Sequence, residues 1–568
     1  VPARPKRSAA ILSGVAVRGL VAILFFAAVA VAAWGEDVSS APGSAKNAAK
    51  PKNSYLYVVR YDRWSVEDER DWRSFIQAIG ASDCNTLDSC LRGPANPFRA
   101  SDPPDYRFTA DCADLPYVLR FYFAWKRSLP FSYVADIAPR TGGGDIRYTR
   151  NGNVVAERRD VSSGTATGMA IIDQIRDKVN SGTYRMHPDL DAPPPDFYSP
   201  KIDAKSIVPG TAIYDPAGHL ALVFKVDPDG RIHFFDAHTD FTLTQMVYDL
   251  RFARSRPAHG AGFKNWRPQT LVGAVRQKDG TLKGGHIVLA ANRQIADFSD
   301  EQYYGNGTRP NDDGWESGVF ALNRESLDYY DYVRAKLAGG QIQFDPVKEI
   351  GDMARSLCSD LHYRAAAVDV ALEAGMAKRP EPDRLPSNIY GTSGDWETFS
   401  TPSRDARLKT AFKSLRDTAQ RFVDMYGTGD TKHLKYTGRD LPGDLLAAYG
   451  KAIRYCSVSY TNSAGGRIAL SFEQARKRLF AMSFDPYHCA ELRWGAAGPE
   501  AATCPDGPTK RTWYAAEQNL RNQIGRTYEA RMDFTLDQLK TPGPGKGVPT
   551  APDTDIAGYL QKARAAGR

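Results

Sequence analysis

Neither an HExxH motif nor a paired CxxC occurs among the nine histidines and seven cysteines of this 568-residue chain, so no metal centre and no cofactor are expected from spacing. The glycine cluster TGGGD (141–145) lacks the Lys-Ser/Thr that would make it a phosphate-binding loop. No repeat of fixed period runs through the helical stretches, which excludes a solenoid. Charge of one sign is also scarce. Against 66 acids stand 74 Lys and Arg, a net charge of +8, and Arg4, Lys6, Arg7 and Arg18 supply half of it within the first 34 residues, where no acid occurs. The remainder is too dilute for nucleic-acid binding. Hydrophobic (42%) and charged (25%) fractions are those of a folded globular protein, and the length calls for two domains.

Long apolar runs are missing except at the start, where basic residues precede an apolar stretch from Leu20 to Ala33 and then polar chain. This order predicts a secretory signal over 1–34. The alternative is an uncleaved anchor, with residues 11–33 tethering the protein to the inner membrane while Arg18 snorkels; the short core run favours cleavage. Either way the bulk is expected in the periplasm or outside the cell, and Val1 reads as a bacterial start codon. Residues 35–54 are small, polar and Pro-containing, a linker in composition.

Export makes the odd cysteine count informative. Cys84 and Cys90 frame one short loop and Cys489 and Cys504 another, so both pairs are expected as local disulfides; Cys358 and Cys456 then pair by elimination and Cys112 stays free. Pro116 is tolerated only in the first turn of the apolar helix that follows, so this helix starts near Cys112 to Asp114. A thiol there meets unpaired amides and the positive end of the dipole, which would lower its pKa and offer donors to an oxyanion.

A thiolate needs a base, and GHLALVFKVDPDGRIHFFDAH (218–238) supplies candidates. A tight DPDG turn pairing Val226 with Arg231 sets His219 opposite His238, with Asp236 diagonal on the same face and His233 on the other. A bulge or a different loop length would break this register. Elsewhere YLYVVRY (55–61) predicts a strand, 65–80 a capped helix, 146–161 a hairpin turning at Asn151-Gly152, and 166–180 a helix. Residues 207–300 are β-rich and the chain from about 310 helical; 541–568 has a linker's composition.

ADCADLPYVLRFYFAWKRSLPFSYV resembles the cysteine segment of transglutaminase-like proteins, and DCADL with PGTAIYDPAGHLALV resembles the corresponding motifs of NlpC-type cell-wall peptidases. Both belong to the papain-like superfamily. The resemblance implies an α+β fold: a papain-like catalytic domain over 55–305 with an insertion at about 140–205, then an α-helical domain over 306–540 and a flexible tail over 541–568. It implies Cys112 as nucleophile, His219 as base and Asp236 as third member, with His238 the alternative. Asp111, Tyr106 and, from GAGFKNWRP (260–268), Trp266 are weaker candidates for the oxyanion site or substrate contacts. The implied activity is amide hydrolysis on a peptide or peptidoglycan-like substrate; acyl transfer to an amine and a non-catalytic envelope binding protein are the rivals. The helical half has no counterpart in these families and is a candidate surface for a protein partner.

Overall fold

The computed structural model describes residues 55–239, 241–389, 394–399, 402–525 and 530–567. The expected leader and linker, 1–54, lie outside the described residues. From Tyr55 onward the described residues belong to a mixed α+β assembly whose sheets are antiparallel.

Helix α1 (Val66–Gly80) starts as its sequence dictates: Asp68 N donates to Ser65 Oγ, and Ser65 N to the Asp68 carboxylate. Its apolar face, Trp72, Phe75, Ile76 and Ile79, is buried. The cysteine-framed loop carries short helix α2 (Leu87–Arg92), and α3 (Asp114–Arg127) follows with nearly every side chain buried. Strand β1 (Ser132–Pro139) pairs with β2 (Asn153–Asp160). This corrects the expected 146–161 hairpin: Asn151-Gly152 do turn, with Gly152 at φ +73°, but β2 runs beside β1. Residues 55–61 form no strand either; Leu56 makes a single bridge to Thr167. Helix α4 (Gly168–Lys178) comes from the expected insertion, yet Ile171, Ile172 and Ile175 join the same core as α1 and α3.

The main sheet has six strands: β3 (Phe197–Tyr198), β4 (Ala212–Asp215), β5 (His219–Val226), β6 (Ile232–Ala237), β7 (Leu243–Val247) and β8 (Gly262–Trp266), in the order β3-β8-β4-β5-β6-β7. The pleat splits their residues between two cores. Leu220, Leu222, Phe224, Phe235 and Ala237 pack under α1 and α3, whereas Ala221, Val223, Ile232 and Phe234 face the other way.

That second face is covered from the C-terminal half, after a short turn of helix, α5 (Glu301–Tyr304), by Tyr332 and Val333 of α6 (Tyr329–Leu337). The long helices α7 (Pro346–Glu373), α9 (Pro402–Gly427) and α10 (Leu441–Ile453) build a further core, and α8 (Gly394–Phe399) lies between the first two in sequence. Cys358–Cys456, Cys84–Cys90 and Cys489–Cys504 are disulfide-bonded, as the sequence leads one to expect. The helical half also holds a hairpin that composition hides, Ser457–Thr461 with Arg467–Ser471, and short helices at Pro508–Ala516, Gln518–Asn522 and Leu536–Lys540. The expected flexible tail is corrected as well: Ile556–Ala565 is a helix whose Ile556, Leu560 and Ala563, one turn apart on one face, are buried in the helical core. Among the described residues no helix is long and apolar enough to cross a membrane.

Candidate active site

Cys112 is the free cysteine among the described residues, and it lies half-buried two residues before α3. The turn is held by Asp111, whose carboxylate accepts from Ala113 N (2.8 Å) and Asp114 N (3.0 Å) while its carbonyl accepts from Leu115 N. These amides are therefore already engaged, which corrects the expectation that the helix mouth stands open to an oxyanion; among the described residues the Cys112 amide has no such engagement. Tyr184, from the segment read as an insertion, donates to Ala113 O at 2.8 Å and fixes the turn from the other side.

His219 opens β5 and reaches across to β6. Its Nε2 stands 2.6 Å from Asp236 Oδ2, and Thr244, directly opposite Asp236 on β7, donates to Asp236 Oδ1 at 2.5 Å. His238 bonds Thr244 Oγ1 through Nε2 (3.0 Å), stacks on His219 with centroids 6.1 Å apart, and stacks on Tyr363 of α7 at 4.0 Å. Asp236 is fully buried. Burial opposes its charge, but His238, the His219 hydrogen bond and Thr244 outweigh it and hold the carboxylate at about 2. Burial and then the Arg407 guanidinium depress His219 despite Asp236, so the ring is neutral at rest with Nδ1 left over as the basic atom.

Cys112, His219 and His238 line one cleft of about 220 Å³. The thiol hydrogen-bonds the carbonyl of Gly218, the residue before His219, at 3.8 Å. By strand parity His219 belongs to the face turned away from α3, and it reaches the cleft that Cys112 lines from the end of β5. Burial, then Asp111, pushes the thiol well up; Leu220 N–H and Arg407 oppose this in part. The expectation of a lowered thiol pKa is thereby corrected, because the desolvated position outweighs the helix end.

Asp111 shares the cleft wall with these residues, but two candidates are elsewhere. Tyr106 donates to Asp173 of α4 at 2.8 Å, and Trp266 is a core residue of β8 packed on Tyr117, Phe131 and Phe197. Within 260–268 the stretch Gly262–Trp266 is thus a strand of the main sheet. Sequence reasoning missed Thr244, Tyr184, Tyr363, Arg404 and Arg407. Arg404 and Arg407 reach the cleft from α9, with Arg404 over the Tyr363 ring and Arg407 3.9 Å from Asp215. Only Thr244 had a signal, its position opposite Asp236 on the next strand.

No family model, curated protein or solved structure matches this chain.

Proposed function

We propose that this chain is an exported cysteine hydrolase that cleaves amide bonds on a papain-like scaffold. One observation carries the reading: an unpaired thiol ahead of a buried helix shares a cleft with a neutral histidine clamped by a buried, ionised aspartate. The Cys112 proton passes to His219 Nδ1 as the sulfur attacks the carbonyl, and the Cys112 amide receives the oxyanion. His219 then gives the proton to the leaving amine. Water, deprotonated by His219, releases the acid from the thioester and restores the thiol. Asp236 keeps the proton on Nε2 and so leaves Nδ1 basic. Three disulfides suit an oxidising compartment. Arg147, Arg404 and Arg407 on the cleft wall suit a carboxylate-bearing peptide, as peptidoglycan stems are.

A second reading, a non-catalytic binding protein, is favoured by the thiol's bond to Gly218 O and its raised pKa. p-Nitrophenyl acetate separates the two. Hydrolase chemistry gives a burst of nitrophenolate with one acetyl on Cys112, about 100-fold slower in His219→Gln. A folded chain that acquires no acetyl on Cys112 is the binding protein. Faster discharge by an added primary amine than by water would make it an acyltransferase.

A further inference from the structure

We propose that the helical half holds one divalent cation of the first transition row on Glu381, Asp485, His488 and Glu517. Ligand-capable atoms of Glu381, Asp485 and His488 lie within 4.8 Å of one another. His488 Nε2 is 3.9 Å from Asp485 Oδ2 and 3.8 Å from Glu517 Oε2. Such separations exceed a hydrogen bond, yet they suit ligands sharing an ion at about 2.0–2.2 Å each. His488, Asp485 and Glu517 have no exposed surface. Among the described residues, both ring nitrogens of His488, both carboxylate oxygens of Glu381 and of Glu517, and Asp485 Oδ2 make no hydrogen bond. Buried polar atoms are seldom left so, and here they belong to residues whose ligand-capable atoms crowd together.

Neighbouring cations approach the cluster but leave these atoms without a hydrogen bond. Arg521 stands 3.7 Å from Glu517 Oε2, but its guanidinium hydrogen-bonds Tyr514 O and Gln518; the Lys510 ammonium bonds Ala377 O and Tyr487 O. Beyond His488 a carboxylate stands where a metal-bound imidazole has its outer partner. Nδ1 faces Asp506 at 3.5 Å, and Asp506 is itself fixed by Cys489 N at 3.0 Å, which points Nε2 at the carboxylates. One imidazole with carboxylates favours Zn²⁺ or Mn²⁺ over Ca²⁺ or Mg²⁺, whose ligands are oxygens. Because the ligands are spread from 381 to 517, no motif spacing shows them, and the sequence reading expected no metal.

The test uses the full chain with Cys112→Ala, which removes the free thiol as a competing ligand. After chelation and dialysis, Zn²⁺ is added, bound metal is counted by mass spectrometry, and thermal unfolding is followed. The site predicts one zinc per chain with submicromolar affinity and a midpoint raised by about 3 °C or more. Asp485→Asn and Glu517→Gln should each weaken binding at least 100-fold. Co²⁺ titration read by its absorption bands gives an answer on the parent chain even if those variants do not fold. A folded parent chain that binds neither Zn²⁺, Mn²⁺ nor Co²⁺ stoichiometrically overturns the proposal. So does undiminished binding in folded variants.

Discussion

Asp236→Asn is the sharpest probe of the cleft, since it keeps the shape of the side chain while deleting its charge and turning one acceptor oxygen into a donor. In the folded chain the carboxylate drops from an ordinary 3.8 to about 2. At about 1.4 kcal/mol per tenfold change, that fall is worth roughly 2.5 kcal/mol of stability at neutral pH. The depressed value fixes the sign. The contribution is complete above about pH 5, where the unfolded chain's aspartate is also ionised; it is roughly half lost by pH 3 and vanishes below the folded value. Denaturant midpoints of wild type and variant, measured from pH 7 to pH 3, isolate the term because every other carboxylate is common to both. The variant should be less stable by about 2 kcal/mol at pH 7, with the gap halving toward pH 3. A gap below about 0.5 kcal/mol at pH 7, or one that does not change with pH, would refute the claim that His219, His238 and Thr244 hold this group ionised.

Three other perturbations reach different parts of the chain. Arg407→Gln removes a positive charge that helps depress His219, so the acidic limb of Cys112 acylation should move to higher pH; an unmoved limb, or one moved lower, shows that Arg407 does not act on the ring. Replacing both Cys358 and Cys456 by Ala opens a cross-link spanning 98 residues and should cost up to about 4.7 kcal/mol in guanidinium unfolding, with less than about 1 kcal/mol arguing against the chain-entropy account. Leu560→Ala should cost roughly 2–5 kcal/mol, because Leu560 is fully buried among α9, α10 and the helical core. An unchanged unfolding midpoint would mean that the terminal helix does not dock.

What the sequence discloses follows the range of the interaction. Capping at Ser65, the start of α3 set by Pro116, and the two short disulfide loops depend on neighbours within a few residues, and each is where the sequence puts it. Residues 55–61 have strand composition but lack a partner strand, and Ile556–Ala565 becomes a helix because α9 and α10 offer it a groove. Tyr363, Arg404 and Arg407 enter the cleft from helices some 150 to 300 residues away along the chain, and no local pattern marks them. The cation ligands are scattered in the same way.

The His219–Asp236 pair is the instructive case, because its expected geometry holds although the premise behind it fails. The connection is longer than a tight turn: Asp227 N bonds Arg231 O, and Val226 faces Ile232 in place of Arg231. Carried along the strands, that one-residue slip would move Asp236 to the opposite face from His219. A bulge at Phe224 takes up the extra residue, and from Val223↔Phe234 and Leu222↔Phe235 onward the register is again the one that sets His219 across from His238. The bulged Phe224 lies directly against the end of α1, where a Cβ on Gly80 would come within 2.2 Å of the Phe224 Cβ. Only glycine lets α1 approach this closely, and that contact holds down the residue whose bulge corrects the strand pairing. Alignment of His219 and Asp236 therefore depends on a register set toward the far end of the strand, where Phe224 packs on Gly80.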